Sequence, residues 1–311
     1  MKKILITGSN GLLGQKLQQL LVSEPYQSKV EVLATSRGEN RSSITASNLS
    51  YHSLDITNQA EVVEKITQLQ PDAIIHTAAM TQVDACETER ELCWKLNVNS
   101  VEYLIEACQK LEAAGKPCFL VHLSTDFIFD GADGPYDEEA VANPVSYYGE
   151  SKLAAEKALQ ASNIQWGIAR TVLVYGITEA MSRSNIILWV KKSLEERKTI
   201  HVVDDQWRTP TLAEDLAMGC YLIADHQATG IFNISGPDLL TPYEMAIKTA
   251  QYFNLDQSLI VKTDASRFSQ PAKRPPKTGF ILTKAQQKLN YQPRSFDEGI
   301  AILEGQLKAV M

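Results

Sequence analysis

This chain offers little to build a metal site or a disulfide framework from. Its five cysteines, Cys86, Cys93, Cys108, Cys118 and Cys220, are odd in number and scattered, and no CxxC pair occurs. Such a distribution predicts free thiols in a reducing compartment. No cluster of metal-ligating residues has a defined spacing, and no metal is predicted. Long apolar runs are missing as well. Lys2 and Lys3 open the chain, but the run after them, Ile4-Leu5-Ile6, stops after three residues. A signal-peptide core needs roughly 7–15 apolar residues and a membrane helix about 20. The expectation is a cytoplasmic protein without membrane association. Blocks of like charge are absent too, and the net charge is -7. Mild acidity argues against general nucleic-acid binding, yet leaves room for a local basic pocket that takes phosphate. No internal repeat, low-complexity segment or clean linker divides the 311 residues.

What is present is a core-forming composition, 44% hydrophobic, arranged in alternating periods. Short apolar runs at residues 4–6, 30–34, 73–76 and 119–123 read as buried strands, with a third strand expected ahead of Asp55. Between them, apolar residues at positions 12, 13, 17, 20 and 21, and again within 62–69 and 92–111, recur at helical spacing. Strand–helix alternation predicts an α/β fold, a doubly wound parallel sheet with helices on both faces. Further strands are expected at 166–170 and 231–234, and helices at 184–197, 211–224, 242–253 and 296–308. Pro271, Pro275 and Pro276 mark a polar loop. The predicted organisation is a dinucleotide-binding domain over 1–176 with one more strand near 229–235. A smaller interleaved lobe would come from 177–228 and 236–311.

Gly8-Ser9-Asn10-Gly11-Leu12-Leu13-Gly14 sits between the first strand and the first helix. Glycines there allow a tight turn, close approach of a pyrophosphate, and close helix–strand packing. The N–H groups of Gly11, Leu12 and Leu13 are expected to face phosphate oxygens at the positive end of the helix. After the second strand comes Thr35-Ser36-Arg37-Gly38, with no carboxylate before Glu39. An NAD site usually has an acid here for the ribose 2′-hydroxyl. An arginine instead suits a 2′-phosphate, so NADP(H) is predicted over NAD(H), which remains admissible.

Tyr148 and Lys152 lie at i and i+4, which places phenol and ammonium on one helix face. A nearby ammonium favours the phenolate, so Tyr148 is expected to have a lowered pKa and to act as acid–base group on a carbonyl. Thr125, with Ser124 as the alternative, ends the fifth strand where such folds bind ligands. Its hydroxyl can orient a substrate carbonyl. Ordinary roles for these residues, a capping hydroxyl or a solvated arginine, compete with each assignment taken singly. Their order along the chain favours the joint reading.

The GxxGxxG spacing, with these motifs following in order, resembles the extended short-chain dehydrogenase/reductase family. The segments 76–84, 97–99, 124–131 with Pro135-Tyr136, Arg170-Thr171, 174–176, 205–211 and Arg274-Pro275 resemble its dTDP-4-dehydrorhamnose reductase branch nearly throughout. The resemblance implies reduction of a 4-keto nucleotide sugar with Thr125, Tyr148 and Lys152 catalytic. It implies cofactor contacts from Gly8, Asn10, Gly11, Leu12, Leu13, Gly14, Arg37, Asp55, Ile56, Ala78, Ala79, Tyr148 and Lys152. Substrate contacts would come from Thr81, Thr125, Asp126 and Arg208, with Arg274 a second candidate for the diphosphate. A homodimer is implied by analogy. Three positions depart from the branch: Phe127 stands where tyrosine is common, Leu173 where tryptophan is, and Arg208 where glycine is. The alternatives are an epimerase on the same fold, or a non-catalytic NADP-binding subunit resembling the regulatory subunit of methionine adenosyltransferase. A dehydratase is disfavoured because Asp126 is followed by Phe127 rather than glutamate.

Overall fold

In the computed structural model, which describes residues 1–178, 184–268 and 270–310, seven parallel strands form the central sheet. They are β1 (Lys2–Thr7), β2 (Val30–Ser36), β3 (Leu49–Ser53), β4 (Ala73–His76), β5 (Phe119–Thr125), β6 (Trp166–Thr171) and, after three short strands, β10 (Gly230–Asn233). Their order is β10-β6-β5-β4-β1-β2-β3. The order reverses beside β1, so a crevice opens at the carboxyl ends of β1 and β4, where ligands enter such sheets.

Period-two alternation decides which residues face which layer. Ile4, Ile6, Val32, Ile75 and Val121 pack with Leu17 and Leu21 of α1 (Leu12–Leu21), with α8 (Ala213–Asp225) and with α10 (Thr283–Leu289). Their neighbours Leu5, Leu33, Ile74 and Leu120 face α2 (Gln59–Leu69), α5 (Ser100–Ala113) and α6 (Tyr147–Gln160). A separate cluster gathers α7 (Ile186–Glu195) and α9 (Pro242–Tyr252) with β8 (Ile200–Val203) and β11 (Ile260–Thr263). Tyr175, Leu212 and α11 (Phe296–Val310) adjoin it in a further cluster. Two expectations are adjusted here. The segments assigned to the smaller lobe contain α8 and α10, yet both cover the main sheet. The strand pairs β8–β11 and β7–β9 (Val174–Tyr175 and Thr211–Leu212) were not foreseen.

The helix expected over 92–111 is also interrupted. Short helices α3 (Val83–Thr88) and α4 (Arg90–Trp94) lead into a π-turn, Lys95–Asn99, before α5. At the turn Asn97 leaves the helix pattern to grip the loop after β4. Its Nδ2 donates to Met80 O at 3.1 Å, its Oδ1 accepts from Met80 N at 2.8 Å, and Nδ2 also donates to Ser151 Oγ at 3.0 Å. Such a bulge often marks a functional site. Here it ties the loop holding Ala78 and Ala79 to α6.

Candidate active site and cofactor cleft

The glycine turn comes first. Gly8 has φ +65°, and a Cβ there would lie 2.8 Å from Ala78 N, so a side chain is excluded by both conformation and space. The loop after β4 is bound to the same turn, because Thr77 N and Thr77 Oγ1 donate to Thr7 Oγ1 and Thr7 O at 3.2 and 2.6 Å. Helix α1 begins at Gly11 with no side-chain cap and no acid in its first turn. Those unclaimed first-turn amides suit an anion, so the site fits a dinucleotide pyrophosphate. One expected donor is corrected: the Gly11 N–H closes the turn onto Gly8 O at 2.9 Å, which leaves the role to Leu12 and Leu13.

Arg37 is exposed just past the end of β2. Asn10 does not face the crevice alone; it straps the segment beyond Arg37. Its Nδ2 donates to Glu39 O at 2.9 Å and its Oδ1 accepts from Arg41 N at 2.9 Å. Asp55 folds into its own turn, accepting from Thr57 N and Oγ1 at 2.9 and 2.7 Å. Burial pushes its carboxyl up, but the Thr57 hydrogen bonds and the Arg37 charge outweigh that and hold it below the usual range. Ile56 is buried beside it.

The reacting end lies where β5 runs out. Ser146 caps α6 by accepting from Gly149 N at 3.3 Å. Gly149 lets the helix start close to the strand end, since a Cβ there would stand 2.1 Å from Phe127 O. Tyr148, 8% exposed, is thereby brought close to Thr125, whose hydroxyl acts on the phenol. Burial raises the Tyr148 pKa, the Thr125 hydroxyl opposes, and Asp126, Cys86 and Cys93 add to the rise. The expected lowering by Lys152 is therefore overturned in this structure: burial dominates, and the phenol keeps its proton. Lys152 is itself buried and drawn down to about 8 by desolvation, against the raising influence of Glu156 and Cys93. Ser124 is buried with no partner for its hydroxyl.

The expected substrate residues are placed less openly. Asp126 is 2% exposed; Thr125 Oγ1 donates to its Oδ1 at 3.1 Å, and Thr278 Oγ1 donates to its Oδ2. Arg208 Nε stands 3.7 Å from the same carboxylate, while its other nitrogens donate to Trp207 O, Pro276 O and Pro275 O at 2.7, 3.2 and 2.7 Å. Arg274 is chelated by Asp84 at 2.9 and 2.6 Å. Both arginines thus brace the 272–278 loop rather than presenting a guanidinium to a diphosphate. Thr81 is exposed ahead of α3, and Phe127 packs edge-on to Tyr148 at 5.7 Å between ring centres. Among the described residues no group of three or more His, Cys, Asp or Glu side chains is placed to hold a metal. No helix among them is long and apolar enough to cross a membrane.

A seven-stranded parallel sheet with a glycine turn at β1, and a Tyr–Lys pair on the helix after β5, define an extended short-chain dehydrogenase/reductase. Within that class, the sequence matches the RmlD substrate binding domain family over residues 1–307, and the chain belongs to that family. It is 30% identical to the dTDP-4-dehydrorhamnose reductase of Aggregatibacter actinomycetemcomitans, over 96% of this chain and 97% of that protein. It is 32% identical to methionine adenosyltransferase 2 subunit beta of Xenopus tropicalis, over 83% and 74% of the two chains. Among solved structures, the dTDP-4-dehydrorhamnose reductase of Bacillus anthracis in complex with NADP superimposes with a TM-score of 0.83. That pair shares 28% identity over 98% of this chain and 100% of that one.

Proposed function

We propose that this chain is an NADP(H)-dependent reductase of a 4-keto nucleotide sugar, similar to dTDP-4-dehydrorhamnose reductase. The observation that carries it is the burial of Tyr148 close to Thr125 at the carboxyl end of β5, with Lys152 one turn further along α6. NADPH, when bound, supplies a hydride to the substrate carbonyl. Thr125 donates to the carbonyl oxygen and orients it. Tyr148, held neutral by burial, gives that oxygen its proton. A protonated phenol is the form that reduction requires, so the raised pKa supports the reductive direction. Leu12 and Leu13 amides would hold the pyrophosphate and Arg37 the 2′-phosphate, while NAD(H) binds without the latter contact. Thr81, exposed ahead of α3, would contact the sugar, and Asp126 and Arg208 would shape that pocket from behind. The proposed division keeps 1–176 with the strand near 229–235 as the cofactor domain. The remainder, apart from α8 and α10, forms the substrate lobe. The cytoplasm is the proposed compartment, supported by five unbridged cysteines, and a homodimer rests on family resemblance.

The direct test is NADPH oxidation, followed at 340 nm, with dTDP-4-dehydrorhamnose beside other 4-keto nucleotide sugars. Activity with one of them is expected. Binding of NADPH without oxidation by any of them would favour a second reading, a regulatory subunit, which the likeness to methionine adenosyltransferase 2 subunit beta supports.

A further inference from the structure

A line of polar side chains crosses the middle of the sheet beneath the site. Thr7, His76 and His122 are register partners on β1, β4 and β5. All three are buried. Thr7 Oγ1 meets His76 Nδ1 at 2.8 Å, Ser100 Oγ meets His76 Nε2 at 3.4 Å, and the two imidazoles stack at 5.7 Å and 23°. The line ends on Lys152, whose Nζ lies 3.4 Å from His122 Nε2.

Lys152 lies one turn beyond Tyr148 on α6, and His122 lies within β5, which α6 packs against. The contact of Lys152 with His122 joins that helix to the strand. Lys152 is 3% exposed. Glu156, four residues on, is already committed to Arg170 by hydrogen bonds of 3.0 and 2.7 Å. The other titratable groups acting on Lys152 are Cys93 from α4, and His122 and His76 from β5 and β4. Burial, with Lys152 adding to it, drives both imidazoles well below their ordinary range, so they are neutral. A neutral imidazole with its proton on Nδ1 accepts from an ammonium at Nε2. His122 Nδ1 has no partner in the structure, a cost tolerated where the other nitrogen is put to use.

We propose that His122 is a positioning residue for Lys152, the neutral acceptor that holds its buried ammonium one turn from Tyr148. Without that acceptor the buried charge loses a hydrogen bond and the amine form is favoured. Only the kinetic consequence rests on the reductase reading; the pairing itself does not need a substrate.

The test uses protein labelled with [13Cε]lysine, free of substrate, with the Lys152 resonance identified as the one missing from K152R. Its titration midpoint is compared in wild type, H122L, H122F and H122Q. The apolar variants are expected to lower the midpoint by about one pH unit or more. H122Q, whose amide oxygen can still accept, is expected to stay within about half a unit of wild type. The alkaline limb of NADPH oxidation should move with it. An unchanged midpoint in whichever apolar variant folds would overturn the proposal, as would H122Q shifting as far as H122L. The predicted midpoints together with no oxidation by any 4-keto nucleotide sugar would sustain the pairing and count against the reductase reading alone.

Discussion

The two ends of the cofactor cleft are built on opposite plans. At the end proposed for the 2′-phosphate, Arg37 stands exposed, and the segment around it is fastened by the side chains of Asn10 and Tyr51. At the proposed reacting end, Tyr148, Lys152, Thr125 and His122 are all nearly enclosed, with Lys152 against His122 and Tyr148 packed on Phe127. Electrostatics explains the difference. A charge that only has to recognise a phosphate works at the surface, where a guanidinium costs nothing to keep ionised. A group that must carry or release a proton near neutrality has its protonation set by burial and neighbours. In the proposed reaction the exposed end would select the cofactor and the buried end would tune the chemistry.

The sharpest way to break this contrast is Tyr148→Phe. Removing the hydroxyl deletes the proton donor with little change in volume, so kcat should fall by about 10²–10⁴-fold. NADPH binding, read by quenching of protein fluorescence, should be nearly unchanged. Near-normal turnover would show that another group donates the proton. Next comes Gly149→Ala, which puts a methyl 2.1 Å from Phe127 O. Overpacking against backbone typically costs about 1–3 kcal/mol, and thermal melts should show that loss together with a lower kcat. A variant as stable and active as wild type would mean that α6 does not need its close seat. The smallest change belongs to the open end. Arg37→Ala should weaken NADPH binding about tenfold, the worth of one charge-assisted hydrogen bond, and leave NADH binding as it was. Equal losses for both cofactors would erase the division of labour.

The sequence made the same contrast partly visible. Strands β1, β4 and β5 are legible because they are buried on both faces and read as unbroken apolar runs. The Tyr148–Lys152 spacing is legible because a helix brings i and i+4 together. What stayed hidden depends on partners far along the chain. Arg274 looks available for a diphosphate until Asp84, 190 residues away, chelates it. Arg208 is spent on carbonyls 67 and 68 residues on. The sign of the Tyr148 shift was misread for a related reason. Composition names the lysine beside it but not the depth at which both are buried. His76 and His122 sit in strands that look merely hydrophobic, and only register shows that they align with each other and with Lys152. A polar residue inside an otherwise apolar strand, three positions ahead of Thr125, was the signal available.

The strap formed by Asn10 has a consequence for how such a protein can change over generations. Because the segment from Arg37 to Arg41 hangs outside the sheet and is fastened by the Asn10 and Tyr51 side chains, substitutions there are expected to disturb neither the core nor the proposed proton-handling groups. If Arg37 reads the cofactor as proposed, coenzyme preference is a separable trait, open to drift or redesign by exchanging a short surface stretch. The polar line from Thr7 to Lys152 has no such freedom, since each member is buried and either hydrogen-bonded to or stacked on the next.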